Sequence, residues 1–415
     1  MRWAKLAAWT LACLLVSNAA AAEDQSESQA EGPAATPIDA IEGGGLLLQL
    51  RPRYAHVDQA DKPKDADAYT MRTLLGWQSR PWEGLSGTAQ LLNVGHLGAQ
   101  HYTVSTSVPS PYPAVKEPDN TDFNHLFLDY SGLRDTLFRV GRQDLILDNE
   151  RMVGIKNFSQ TPQVFDAAIL TNRSLSGTDL FLGYMWRERT TSATLLGSAT
   201  WLFNVRRTFA PGSFLTGYAY LQDQPNTGQN TGFNDNSNKI LGLRLDGAQP
   251  IREPWQALYT VELARQNSYA DGDSRIDASY SRVGAGIQWK QVYLRADQER
   301  LGSNGGAYAF QTPIGSTHSF QGWADLFTTT PRQGVRDRFA TLGAKMQSLT
   351  LYSEYHSFRS DFDDLDLGNE LDVRLSYLAM KSLVAQLELA DYRAGDPAAG
   401  QPDTRKIWLT LIYNY

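Results

Sequence analysis

The sequence predicts an all-β protein, a transmembrane antiparallel up-and-down barrel of about 18 strands with short periplasmic turns and long extracellular loops. Three observations predict it. Apolar side chains recur at every second position over segments of roughly ten residues, the connectors between segments are short and long in turn, and the last segment ends on an aromatic residue.

Composition removes the main competitors. Of 415 residues 20% are charged, and no window after the first twenty-odd positions holds the roughly 18 consecutive apolar residues that a spanning helix requires. The formal charge of −7 argues against nucleic acid, which needs a basic surface. Aromatic residues reach 11%, with 10 Trp and 19 Tyr against a single Cys, a balance that suits a cell-envelope β-protein.

At the N-terminus Arg2 and Lys5 precede the apolar run Leu6 to Val16, and Ala19 to Ala22 follow: a signal peptide over residues 1–22, cleaved after Ala22. Cys13 lies in the apolar run with its leucine one place too close for lipoprotein processing, so cleavage leaves no cysteine and no thiolate chemistry. Losing Arg2 and Lys5 takes the formal charge from −7 to −9. Residues 23–43, polar and rich in Ala, Pro and Ser, are expected to be disordered, and the barrel occupies 44–415.

Within the barrel, Leu48, Leu50, Pro52 and Tyr54 oppose Gln49, Arg51 and Arg53, and Leu241, Leu243 and Leu245 oppose Gly242, Arg244 and Asp246. Val283, Ala285, Ile287 and Trp289 likewise oppose Arg282, Gly284, Gly286 and Gln288. Strands are expected from 46–57, through 199–207, to 405–415. A soluble sandwich would alternate too, but it has no reason to make every second connector short. Here Ser131 to Asp135, Asn172 to Thr178, Trp289 to Gln291 and Gln347 are short, while Gly95 to Asp122, Gln143 to Gln163, Gln222 to Asn236 and Leu301 to Val335 are long. Ile407, Leu409, Leu411, Tyr413 and Tyr415 share one face, an ending similar to the signal that the barrel-insertion machinery reads. Closure leaves no sheet edge in lipid.

Phe138 to Gln143, Leu147 to Gly154 and Gln163 to Asp166, then Thr317 to Phe327, Tyr355 to Phe358 and Gly368 to Asp372, stand in an order that resembles the bacterial outer-membrane alginate-export family of porins. That resemblance implies an 18-stranded monomeric channel in the outer membrane of a Gram-negative bacterium. Its founding members export an anionic polysaccharide, and its exporter versions work with periplasmic partners.

Parity places Arg51, Arg53, Arg72, Arg187, Arg206, Arg244, Arg282, Arg295 and Arg374 inward, with the acids Glu262, Asp297, Glu354, Asp372 and Glu388. Arg139 and Arg142 also belong to the pore-lining set, although strict alternation cannot turn both inward and Gly141 between them marks a bulge or a strand end. Two readings stay open: a guanidinium ring selecting anions, or arginines braced by the acids. The long segments carrying Arg151 and Lys156, and His318, Trp323 and Asp325, are expected to fold into the mouth as constriction loops.

Nothing points to catalysis, a cofactor or a resident metal: there is no HExxH, GxSxG, P-loop or dinucleotide fingerprint. The leading reading is a passive channel, or exporter, for a hydrophilic solute or an anionic polysaccharide. The alternative is an outer-membrane enzyme or adhesin using the barrel as a platform. Strand number separates the two, because narrow barrels are filled by side chains whereas about 18 strands leave an aqueous lumen.

Overall fold

Alternating residues are satisfied by strands whose two faces meet different surroundings, and the computed structural model, which describes residues 33–106, 109–224 and 233–415, is built of little else. Among the described residues eighteen strands follow in chain order. They are β1 Gly45–Gln59, β2 Ala66–Gln78, β3 Leu85–His96, β4 Asn120–Tyr130, β5 Thr136–Gln143, β6 Val164–Asn172, β7 Thr178–Arg189, β8 Leu195–Ala210 and β9 Ser213–Asp223. The second half comprises β10 Asn238–Arg252, β11 Trp255–Ser268, β12 Asp277–Trp289, β13 Val292–Leu301, β14 Val335–Met346, β15 Leu349–Arg359, β16 Asp366–Met380, β17 Leu383–Arg393 and β18 Thr404–Asn414. Each pairs antiparallel with the next. β18 returns to β1 in the register Gln49↔Asn414 to Gln59↔Thr404, so the sheet closes. Closure satisfies every ladder hydrogen bond within the protein, the condition for strands in hydrocarbon. β8 is longer at both ends than the expected 199–207, because residues 195–197 pair with β7 beyond a bulge at Met185/Arg187 and Thr208 and Ala210 pair with β9 up to the turn.

The signal peptide and residues 23–32 lie outside the described residues. Residues 33–43 depart from the expected disorder: a short helix, α1 Pro37–Glu42, opens with a capping box in which the Thr36 hydroxyl accepts the Asp39 N–H and the Asp39 carboxylate accepts the Thr36 N–H. Pro37 supplies the preset first turn. The helix is tied to the barrel by Trp77 Nε1 donating to the Ile41 carbonyl and by the Arg80 N–H donating to the Ala40 carbonyl. The signal was legible as Thr-Pro-Ile-Asp, and the low-complexity flank hid it.

Outward positions carry Leu241, Leu243, Leu263, Val283 and Leu294, all exposed, in register with buried polar residues on the inward parity. Exposed aromatics mark both ends of this apolar band: Trp77, Tyr130, Trp289 and Tyr377 near the short turns, Tyr69, Phe123 and Tyr355 near the long loops. No helix among the described residues is long and apolar enough to cross a membrane. The sheet closes on itself, so this apolar band girdles a barrel.

Short turns reverse the chain with left-handed residues at Asp135, Gly177, Gly212, Lys290 and Gln347. At the other end segments 144–163 and 302–334 turn into the barrel. Their Leu145, Met152, Val153, Phe310, Ile314 and Phe327 join the wall residues Phe165, Met185, Tyr280, Phe358 and Tyr392 in one buried apolar cluster. The core of this molecule is thus a plug of infolded loops, joined by Tyr102 and Val115 from the segment between β3 and β4, packed against the inner wall.

Candidate functional site: the pore and its constriction

The two infolded segments are hydrogen-bonded to each other. The Gly154 N–H donates to the Ile314 carbonyl (2.9 Å), the Ser316 N–H to the Glu150 carbonyl (2.8 Å), and Lys156 Nζ to the Pro313 carbonyl (2.9 Å). Burial pushes the Lys156 ammonium below its ordinary pKa, and the distant Glu188 only partly opposes this. Arg151 is buried at the centre, donating through Nε to Glu299 Oε1 on β13 (2.8 Å), through Nη2 to Gln321 Oε1 (2.7 Å) and through Nη1 to Thr312 (3.2 Å). One guanidinium with five donors in a fixed fork joins both loops to the wall.

Three expected pore arginines work in the same way and do not line the open cavity. Arg51 donates to the carbonyls of Asn157 (2.8 Å), Phe158 (3.1 Å) and Ser159 (2.5 Å) and to Gln160 Oε1 (2.7 Å). Arg53 donates to the Phe158 carbonyl and to Glu117 Oε1, both at 2.8 Å, and Arg72 to Asn157 Oδ1 (2.9 Å) and to Gln49. An infolded loop without secondary structure leaves carbonyls that need donors. The two arginines of β1 supply them, Arg72 of β2 holds the Asn157 side chain, and all three are consumed in doing so.

Arg139, Arg142 and Arg187 also stand away from the cavity. Gly141 has φ +125, and a Cβ there would lie 2.2 Å from the Leu126 carbonyl oxygen, so only glycine continues the strand. Before it Arg139 pairs with Asp129 (2.6 Å). After it Arg142, in register with the exposed Leu126, pairs with Asp166 (2.8 Å) and Asp122 (2.7 Å), and Arg187 closes on Asp166 (2.5 Å). These pairs brace the ends of β4 to β7.

The remaining arginines face a cavity of about 560 Å³ inside the barrel. Arg206, Arg244, Arg282, Arg295 and Arg374 line it, Lys290 and Lys345 stand at the short-turn end, and Asp148, Glu150, Phe320, Gln321 and Trp323 cover it from the loops. Register orders the charges. Arg206 and Arg244 both stand opposite Thr216, Arg244 opposite Glu262, Glu262 opposite Arg282, Arg282 opposite Glu299 and Glu299 opposite Asp337. Charge alternates from Arg244 to Glu299, which is favourable; the like pair of Glu299 and Asp337 that ends the series is offset by Arg151 on one and His356 on the other.

Most cavity arginines have an acid behind them. Arg244 pairs with Glu262 (2.8 Å) and Asp246 (2.9 Å), Arg282 and Arg295 share Asp297 (3.1 and 3.0 Å), and Arg374 meets Glu388 through Nε (2.6 Å). Gly284 makes the shared site possible, since a Cβ there would lie 1.9 Å from Asp297 Oδ1. Arg206 has no carboxylate within ion-pair reach among the described residues and lies over the Phe214 ring at 3.8 Å. Bracing and a cationic surface therefore coexist: Glu262, Asp297 and Glu388 are buried behind guanidiniums that still reach the cavity wall.

Glu354 and Asp372 do something else. Glu354 accepts from Thr341 (2.7 Å), and Asp372 Oδ2 accepts the Trp323 N–H (3.2 Å) beside Glu370, which accepts the Ala324 N–H (2.6 Å). Acids on β16 thus hold the backbone of the second loop, as arginines on β1 and β2 hold the first. His318 of that loop stacks on Phe158 of the other (centroids 3.3 Å apart) and on Trp323, and its Nδ1 lies 3.1 Å from Asp325 Oδ1. Burial lowers the His318 pKa despite Asp325. The half-buried Asp325 carboxyl is drawn down to about 2 by His318 and by Lys406. Trp323, with Arg374 over its ring at 4.6 Å, is the member of this stack that reaches the cavity. Alternation extends to Glu299, two positions on from Asp297, and to Asp337 and Lys345 on the face of Thr341, whereas Glu117 and Lys290 stand in a loop and a turn where no period runs.

The family model for alginate export matches residues 99–339, more than half of the chain. In fold the chain is similar to crystal structures of Pseudomonas aeruginosa OccK8 (OprE), with a TM-score of 0.67 at 16% identity over 90% of this chain and 98% of that one. It is similar to Pseudomonas aeruginosa OccK9 (OpdG), 0.69 at 16% over 90% and 99%, and to Acinetobacter baumannii OccAB1, 0.69 at 11% over 94% and 99%. Compared with the curated proteins, the sequence finds no match.

Proposed function

The chain belongs to the alginate export family, and from that premise we propose that it is a passive outer-membrane channel for hydrophilic solutes bearing negative charge, acid sugars and their oligomers among them. The observation that carries the reading is the cavity lined by Arg206, Arg244, Arg282, Arg295 and Arg374 with Lys290 and Lys345. Six acids line the same cavity: Arg151 holds Glu299, His356 lies between Asp337 and Glu354, Asn204 and Ser316 donate to Asp148 and Glu150, and Asp246 pairs with the cavity's own Arg244.

Planar guanidiniums offer paired donors to a carboxylate, and one fixed by an acid behind it loses little freedom when a solute binds. Arg374 is held through Nε, leaving its two Nη atoms without a protein hydrogen bond among the described residues. A solute anion is passed along such groups while the plug of segments 144–163 and 302–334 limits its width. Eighteen strands enclose more space than wall side chains fill, which favours a channel over a barrel enzyme or adhesin. A single chain closes its own lumen, consistent with a monomer.

The test is the reversal potential of the refolded mature protein across a planar bilayer with a KCl gradient, followed by block with uronic-acid oligomers. Anion selectivity and block at one face support the reading. Cation selectivity, or conductance indifferent to both anionic and neutral oligosaccharides, refutes it.

A further inference from the structure

At the loop end of the barrel, on its outer face, three arginines stand directly opposite one another on consecutive strands: Arg300 on β13, Arg336 on β14 and Arg359 on β15. One row closer to the apolar band, Arg338 lies between Gln298 and Ser357. All continue the outward parity of exposed residues, Leu294 on β13, Leu342 on β14 and Tyr355 on β15. Like charges directly opposite are unfavourable. Two aspartates of the following loop relieve part of the strain: Asp361 meets Arg300 (2.5 Å), and Asp364 meets Arg336 and, at 3.3 Å, Arg359. Arg338 is exposed, donates only to Gln298 Oε1 (3.0 Å), and has no carboxylate within reach among the described residues.

We propose that this two-row patch binds a phosphorylated glycolipid of the outer leaflet. The rows are about 7 Å apart along the strand and the three strands about 5 Å apart across it, dimensions of a sugar-phosphate headgroup. The lower row sits where hydrocarbon gives way to headgroup, since Ala340 and Leu342 follow Arg338 toward the membrane interior. A guanidinium there has no protein anion, and a phosphate gives it a paired, charge-assisted partner. Elsewhere at the loop end the outward charges are of both signs or paired: His56, Asp58 and Asp67 on β1 and β2, Arg265 with Asp277, and Arg393 and Arg405 with Asp391. Strand register sets Arg300, Arg336 and Arg359 in a row, Asp361 and Asp364 offset part of their mutual repulsion, and a multivalent anion would offset the rest. The inference is independent of what passes through the lumen.

The experiment is native mass spectrometry of the folded full barrel in detergent, titrated with bisphosphorylated lipid A and, separately, with the same lipid after enzymatic removal of its phosphates. The expected result is retention of the phosphorylated lipid at least about tenfold tighter than the dephosphorylated one, with that preference lost in R336Q/R338Q/R359Q and kept in H56Q. Equal retention of both lipids, or an unchanged preference in the triple variant, overturns the proposal. So does displacement of the bound lipid by millimolar inorganic phosphate, which would mark a free-phosphate site. Should the triple variant fail to fold, as heat-modifiable gel migration would show, the two lipids on the unaltered protein still decide.

Discussion

Arg151 Nε stands 2.8 Å from Glu299 Oε1, with side chains 2% and 1% exposed, so a buried ion pair fastens the infolded segment 144–163 to the barrel wall. Tyr280 also donates to Glu299 (2.6 Å), and Gln321 joins from the second loop. Such a pair can be neutral in net stability while its disruption is costly, because the surviving charge is left without a partner. Arg151→Met is expected to cost about 3 to 5 kcal/mol of loop attachment. Single-channel recordings should show larger, noisier conductance with the closed barrel intact by gel mobility. Conductance identical to the parent would show that the plug does not depend on this pair.

Arg51 offers a sharper substitution. It satisfies three successive carbonyls and a glutamine with one planar group, which a lysine ammonium cannot reproduce. Arg51→Lys keeps the charge yet leaves buried carbonyls unpaired, at about 1 to 3 kcal/mol. Protease cleavage within 144–163 should accelerate while ion selectivity stays the same. A shift in selectivity with no change in cleavage would return Arg51 to the permeation path.

Selectivity should respond to Arg206 and Arg374 instead. Arg206→Ala removes a cavity cation with no carboxylate within ion-pair reach among the described residues, although Asp179 is its register neighbour, whereas Arg374→Ala also exposes the charge of Glu388. A unit charge about 8 Å from a permeating ion, at an effective dielectric between about 20 and 80, is worth roughly 0.5 to 2 kcal/mol. Each variant should therefore move the anion-to-cation permeability ratio toward cations by roughly twofold to thirtyfold. Reversal potentials read this directly, and a shift toward anions in either variant would contradict the assignment.

Acid should loosen the second loop. The buried His318 has a folded pKa below the ordinary 6.5, so the released loop binds the proton more readily and attachment weakens as pH falls through 6.5. Asp325, drawn down to about 2 from 3.8, contributes attachment that is present above 3.8 and lost as pH falls toward 2. Both signs agree. Open-channel noise and cleavage within 302–334 should rise between pH 7 and pH 4, and His318→Phe should remove the part that begins near 6.5. A flat response over that range contradicts the mechanism.

How much was legible in advance can be judged from particular residues. The period of two, read through Leu241, Arg244 and Val283, assigned faces correctly in β10 to β13, where no bulge interrupts the inner half of the strands. Alternation allowed only one of Arg139 and Arg142 to face inward, and Arg142 stands beside the exposed Leu126; it misled at Arg187, where a bulge at Trp186 breaks the count. It also could not tell Arg51 from Arg282. Both point inward, but one meets loop carbonyls and the other the cavity.

By itself the sequence determined the strand number, the closed antiparallel order, which end carries the long loops and which face meets lipid, since strand period and connector length are local properties. Only the tertiary structure decided which inward arginines remain available to a solute. That depends on where segments 144–163 and 302–334 come to rest inside the barrel. Arg51, Arg53, Arg72 and Arg151 are taken up by carbonyls and acids brought from more than sixty positions away, through contacts that leave no period in the chain.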